Sequence, residues 1–94
     1  MDEKDYRLIK VLKALGNGIR FQILMFLLEK PMTVQELRRK LRRSESSVSH
    51  HLKTLRDADL ARFETEGPYV RYFTKRREII EHVMELREVV RRQM

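Results

Sequence analysis

The side chains with the most capacity for directional chemistry sit in one nine-residue window: Ser46, Ser47, Ser49, His50, Lys53 and Thr54. Wound as a helix at about 100° per residue, Ser46, His50 and Lys53 share one arc, flanked by Ser47, Ser49 and Thr54. Val48, Leu52 and Leu55 gather on the opposite arc. Hydroxyls donate or accept hydrogen bonds, imidazole does either, and an ammonium group donates to guanine acceptors or to phosphate. Short side chains also let a helix approach a base-pair edge closely. That is the chemistry of a helix lying in a major groove. Asp57 shares the arc but lies at its C-terminal end, away from where bases would be read. A plain solvated face has the same residue types, so the surroundings decide.

Those surroundings are cationic. Arg38, Arg39, Lys40, Arg42, Arg43, Lys53 and Arg56 stand against Glu45 alone, a local +6 in a chain of formal net charge +7. The pI of about 10.1 exceeds the rough threshold of 9 that marks a nucleic-acid footprint. Charge by itself fits a solvated face and a phosphate-binding one equally well. The His50-His51 doublet is not a chelating pair, because adjacent helical residues point about 100° apart. His51 falls nearer the apolar arc, a packing or hydrogen-bonding position, and His50 belongs to the polar face.

The order of elements supplies the frame. Asp5 to Leu15 has helical apolar spacing at Leu8, Val11, Leu12 and Leu15, and Gly16-Asn17-Gly18 ends it. Ile19 to Glu29 is apolar around much of its circumference and reads as the central core helix, stopped by Lys30-Pro31. Thr33-Val34-Gln35-Glu36 matches a capping box opening a short helix that buries Val34, Leu37 and Leu41. Ser44 caps a fourth helix running to Ala58. Leu60 to Phe63 and Tyr69 to Thr74 read as a hairpin turning at Glu66-Gly67-Pro68. A last helix from Lys75 to about Arg92 carries Ile79, Val83, Met84, Leu86 and Val90 along one stripe. The predicted class is mainly α with a small β-hairpin, in the order α-α-α-α-β-β-α: a winged helix-turn-helix.

The 94 residues make one domain, residues 1–94, with no cysteine for disulfides or thiolate metal sites. Met1-Asp2-Glu3-Lys4-Asp5 lacks a signal-peptide layout, and no apolar run approaches the roughly 20 residues of a membrane span. The expectation is a soluble, cytoplasmic protein with no membrane partner. There is no glycine-rich phosphate loop and no nucleophile with separated partners, so no enzyme is expected.

Three segments resemble the ArsR/SmtB-type regulators: Ala14 to Leu24, Thr33 to Leu37, and Ser46-Ser47-Val48-Ser49-His50-His51-Leu52-Lys53-Thr54-Leu55. The match runs without a gap from about Val11 to Phe73. The resemblance implies a homodimer with recognition helices in successive major grooves and a hairpin wing over the backbone or minor groove. It further implies repression of transcription at an inverted-repeat operator, released by a small-molecule or protein effector. Ser46, Ser47, Ser49, His50 and Lys53 carry over as DNA contacts, with Thr54 beside them. Arg38, Arg39, Arg42 and Arg43 are the expected backbone contacts, joined on the wing by Arg62 and Arg71. The first and last helices (about 5–15 and 75–92) are implied to form the dimer interface through Leu8, Val11, Leu12, Ile79, Val83, Leu86 and Val90.

This chain departs from the family pattern in places. Gly18 stands where Pro is usual, Arg42 and Arg43 replace the glycine and apolar residue of the helix-turn-helix turn, and Glu64 and Glu66 make the wing tip acidic. Family metal sites are not reproduced. Thr33 and Gln35 occupy the cysteine positions of one. Of another only His82 and Glu85 are present, with Tyr69 and Arg71 falling on its first half. Two ligands are too few for zinc, which takes about four. No metal or cofactor is expected. Two competing functions remain open from sequence: a sequence-tolerant architectural DNA binder, and a winged-helix protein–protein adaptor.

Overall fold

Helix punctuation sets the architecture of the computed structural model, which describes all residues, Met1–Met94. The Asp2 carboxylate accepts from the Asp5 N–H at 2.8 Å and starts α1 (Glu3–Leu15), two residues ahead of the expected Asp5. Asn17 Oδ1 accepts from the Ile19 and Arg20 N–H groups and starts α2 (Gly18–Glu29). Such caps satisfy helix N–H groups that have no partner within the helix. The chain bends by 93° between the two helices. No single helix is long and apolar enough to cross a membrane.

A short strand, β1 (Met32–Thr33), follows and was not expected from the sequence. Thr33 then closes the expected capping box: its Oγ1 accepts from the Glu36 N–H and Glu36 Oε1 accepts from the Thr33 N–H, both at 3.1 Å. This opens α3 (Val34–Leu41). Ser44 caps α4 (Glu45–Asp57) by accepting from the Ser47 N–H at 3.1 Å. β2 (Ala61–Glu66) and β3 (Tyr69–Thr74) form the hairpin, with Glu66 opposite Tyr69 and a two-residue Gly67-Pro68 loop between them. Gly67 has φ +60°, the left-handed conformation a type II′ turn requires at its first central position. The final helix is α5 (Arg77–Gln93).

The sheet is antiparallel in the order β1-β3-β2, with Met32 and Phe63 flanking Tyr72 from either side. Beneath it lies the core. Ile23, Leu24 and Leu27 make α2 the central helix, as its apolar circumference predicted, and Leu37 comes from α3. Val48, Leu52 and Leu55 enter from α4 as the wheel predicted, and all three are fully buried. Each such side chain contributes about 1.5–3 kcal/mol by leaving water. Val34 and Leu41, expected in the core, are half-buried against it.

Further details differ from the sequence reading. The first hairpin strand runs Ala61–Glu66 rather than Leu60–Phe63, because Leu60 is drawn into the core, where its carbonyl accepts from the Lys75 N–H at 2.9 Å. α5 begins at Arg77 rather than Lys75. Lys75 Nζ and Arg76 Nε are held by the two Asp59 oxygens at 2.6 and 2.7 Å, and Arg76 takes a left-handed conformation that interrupts any helix there. The inward residue of α5 is Ile80, fully buried, which the stripe assignment passed over.

Candidate nucleic-acid interface

α3, the Arg42-Arg43 turn and α4 form the helix-turn-helix. The turn closes without the usual glycine. Arg42 itself takes the left-handed conformation (φ 54°, ψ 47°), and the Arg42 and Arg43 N–H groups both return to the Arg38 carbonyl. The burial of Val48, Leu52 and Leu55 then fixes which face of α4 looks outward. Ser46, Ser49, His50 and Lys53 are exposed on it, as the wheel predicted.

Two of the expected contacts have other duties. Ser47 is half-buried at the cap of the helix, and the Thr54 hydroxyl donates back to the His50 carbonyl at 3.3 Å. Lys53 Nζ lies 3.0 Å from Asp57 one turn along the helix. That hydrogen bond, with the Lys53 charge, holds the Asp57 carboxyl below the usual carboxylate range despite opposing desolvation. The arc of α4 thus presents two hydroxyls, one imidazole and one ammonium group whose counterion is internal.

The cationic stretch divides in space. Lys40 Nζ sits over the Phe26 ring at 5.3 Å and the Arg56 guanidinium over the Phe63 ring at 5.1 Å, so these two serve packing. Arg38, Arg39, Arg42 and Arg43 take part in none of the chain's ion pairs. The wing contrasts with them. Arg62 pairs with Glu64 at 2.6 Å and stacks on Phe73, while Arg71 pairs with Glu66 at 2.9 Å and Glu36 at 3.5 Å. The two wing arginines proposed for backbone contact are therefore paired with carboxylates in the free protein, whereas the four arginines of α3 and the turn are not.

His51, next to this face, is half-buried and accepts from Arg20 on α2, a residue the sequence reading did not single out. His82 lies 3.2 Å from Glu85 and 3.8 Å from Glu78 along exposed helix. Within the single chain no three His, Cys, Asp or Glu side chains gather as metal ligands.

The helices at the two ends of the chain leave apolar surface uncovered. Leu8 and Leu12 of α1 are 53% and 49% exposed, and Leu86 and Val90 of α5 are 56% and 45% exposed. Ile79 is exposed on the same stripe, and Val11 and Val83 are half-buried. Met84, counted in that stripe, is half-buried. A shallow cleft of about 310 Å³ lies between Phe21 and the α5 residues Val83, Leu86 and Val90.

The comparisons with known proteins agree with this geometry. The family model described as "Bacterial regulatory protein, arsR family" matches residues 17–62. The transcriptional activator HlyU of Vibrio cholerae is 36% identical over 72 residues, 77% of this chain and 67% of that protein. Its solved structure covers 95% of this chain and 97% of its own, with TM-score 0.83 and 31% identity. The HTH-type transcriptional regulator KmtR of Mycobacterium tuberculosis is 32% identical over 85 residues, 90% of this chain and 62% of that protein. The homodimeric winged helix-turn-helix DNA-binding domain Mb0332 of Mycobacterium bovis, a fragment, shares the fold with TM-score 0.81 at 24% identity, covering 99% of this chain and 89% of its own. The chain thus spans about two thirds of the length of the two curated relatives. With its central segment matched by the family model and its whole fold shared with a relative above 30% identity, the chain belongs to the ArsR family of bacterial regulatory proteins, transcriptional regulators and not enzymes.

Proposed function

We propose that this chain is a sequence-specific regulator that binds double-stranded DNA as a homodimer at an inverted repeat and represses transcription by occupying the promoter. The observation that carries the proposal is the join of two surfaces. The outward arc of α4 offers Ser46, Ser49, His50 and Lys53 to base edges, with Ser47 and Thr54 at its margins. Arg38, Arg39, Arg42 and Arg43, free of carboxylate partners, border it for phosphate. Arg62 and Arg71 meet the backbone only by exchanging their carboxylate partners for phosphate, so the wing contributes less than the helix-turn-helix.

A second copy is the occupant that fits the uncovered faces of α1 and α5, through Leu8, Val11, Leu12, Ile79, Val83, Leu86 and Val90. Isologous pairing sets two recognition helices about 34–36 Å apart, one duplex turn. The Mb0332 domain, which shares this fold, is described as homodimeric. HlyU of Vibrio cholerae is named an activator, and the sign of regulation follows from where the operator lies relative to the promoter. The site of action is the cytoplasm, alongside the DNA.

Selection of bound sequences from a random duplex library at physiological salt tests the reading. Enrichment of an inverted repeat with half-sites one turn apart is the expected result. Retention without a motif would make the protein an architectural binder, and no retention would make it an adaptor.

A further inference from the structure

We infer that Arg20 is a positioning residue for DNA reading: its bond to a neutral His51 locks the recognition helix α4 against the C-terminal end of α1. The inference rests on the dimeric DNA-binding reading above. Arg20 lies in the first turn of α2, and its guanidinium donates to three acceptors from two other helices. Nε meets the Ala14 carbonyl at 2.6 Å, Nη2 the Lys13 carbonyl at 3.2 Å, and Nη1 the His51 Nδ1 at 3.2 Å. The first two belong to the last turn of α1, where unpaired carbonyls and the helix dipole favour a cation. Arg20 has no carboxylate partner anywhere in the chain. Its charge is answered by backbone and imidazole alone.

A guanidinium has only donors, so the Nδ1 it meets carries the lone pair and the ring proton sits on Nε2. Protonating His51 removes that acceptor and sets two cations side by side. Burial opposes such protonation most strongly. Arg20 from α2, His50 on α4 itself and Arg43 from the turn add like charge, and together they hold His51 below the usual histidine range. The side facing α1 presents carbonyls already bound by Arg20. A histidine kept neutral in this way favours the folded state above about pH 6.5, and the benefit is lost as pH falls below that value.

The bridge has a functional consequence because of what it joins. α1 carries Leu8 and Leu12 of the proposed dimer face, and α4 carries the base-reading residues. Arg20 therefore sets the pitch of the recognition helix relative to the dimer axis. His50, one residue away, lies on the exposed base-reading face. Comparing wild type with His51→Asn isolates the bridge, since both proteins retain His50. Asn offers an acceptor oxygen near the former Nδ1 and does not titrate.

Binding of the selected duplex is measured for wild type, His51→Asn and Arg20→Ala between about pH 5 and pH 8. Arg20→Ala is expected to weaken binding about tenfold at the alkaline end, the loss typical of a charged hydrogen bond. Relative to His51→Asn, wild type is expected to lose a further several-fold in affinity on acidification. Identical pH profiles for wild type and His51→Asn would overturn the inference. Nitrogen-resolved NMR of the His51 ring in wild type needs no DNA and no variant: the Nε2–H tautomer is expected, and the Nδ1–H tautomer would overturn the bridge. If wild type selects no duplex, the functional reading fails, while the tautomer still decides whether the bridge exists.

Discussion

In the free protein the Lys53 ammonium and the Asp57 carboxylate hold each other across one turn of α4. Any contact from Lys53 to guanine or phosphate must displace that partner. Exposed pairs at this spacing are weak, so the competition is modest and sensitive to salt. Asp57→Asn is expected to tighten binding about twofold at low salt, with the gain vanishing as salt rises, measured by titration of a selected duplex. Unchanged affinity would show that Lys53 does not reach the DNA. The same reasoning separates Arg38, Arg39, Arg42 and Arg43 from Arg62 and Arg71. All six are cations in sequence, yet the first four lack carboxylate partners and the last two are already matched. Sequence spacing identifies the outward residues of α4 well, because Val48, Leu52 and Leu55 fix the helix's rotation. It does not reveal which of those residues are spoken for. Thr54 and the His50 carbonyl, Lys53 and Asp57, and Arg20 and His51 pair only once the backbone has folded.

At the scale of elements, the turn between α3 and α4 holds a conflict between stability and binding. Arg42 adopts a left-handed conformation that a β-carbon disfavours, and glycine would take it at little cost. Arg42→Gly is expected to raise unfolding stability by about 0.5–1 kcal/mol in urea titrations. The same change weakens DNA binding and lowers the log–log salt slope by about 0.9. The capping box of α3 makes a second prediction. The Glu36 carboxyl is held below the usual carboxylate range chiefly by the hydrogen bond from the Thr33 N–H, against desolvation, with the Thr33 hydroxyl and Arg71 assisting. Its contribution is complete above about pH 4.5 and is lost as pH falls through the lowered value. Thr33→Ala costs about 1 kcal/mol at neutral pH and shrinks that acid dependence, as followed by thermal unfolding across pH. Caps, the central helix α2 and the hairpin are legible in sequence because their signals are local. β1 is not, since two residues pair with a strand about forty positions away. The start of α5 is hidden for a similar reason: Asp59, across the hairpin, holds Lys75 and Arg76 out of the helix.

The whole molecule is extended for its size. Its radius of gyration is 13.8 Å, against roughly 12.4 Å for a compact domain of this length. Only 14 of its residues are buried, and α5 is anchored in its own core by Ile80 alone while Leu86 and Val90 face outward. A second copy would bury those faces and bring two copies of α4 onto one duplex. Leu86→Glu is expected to give a monomer by sedimentation and to weaken operator binding by about a hundredfold or more, since two linked contacts become one. In the proposed function the outward face of α4 reads base sequence, twice, on one duplex. The measurement closest to it is the selection from random duplexes repeated with His50→Ala protein beside wild type. Base preference is expected to change at one position of the motif and at its symmetry mate, with the rest of the inverted repeat retained. An unchanged motif, or none for either protein, would contradict it.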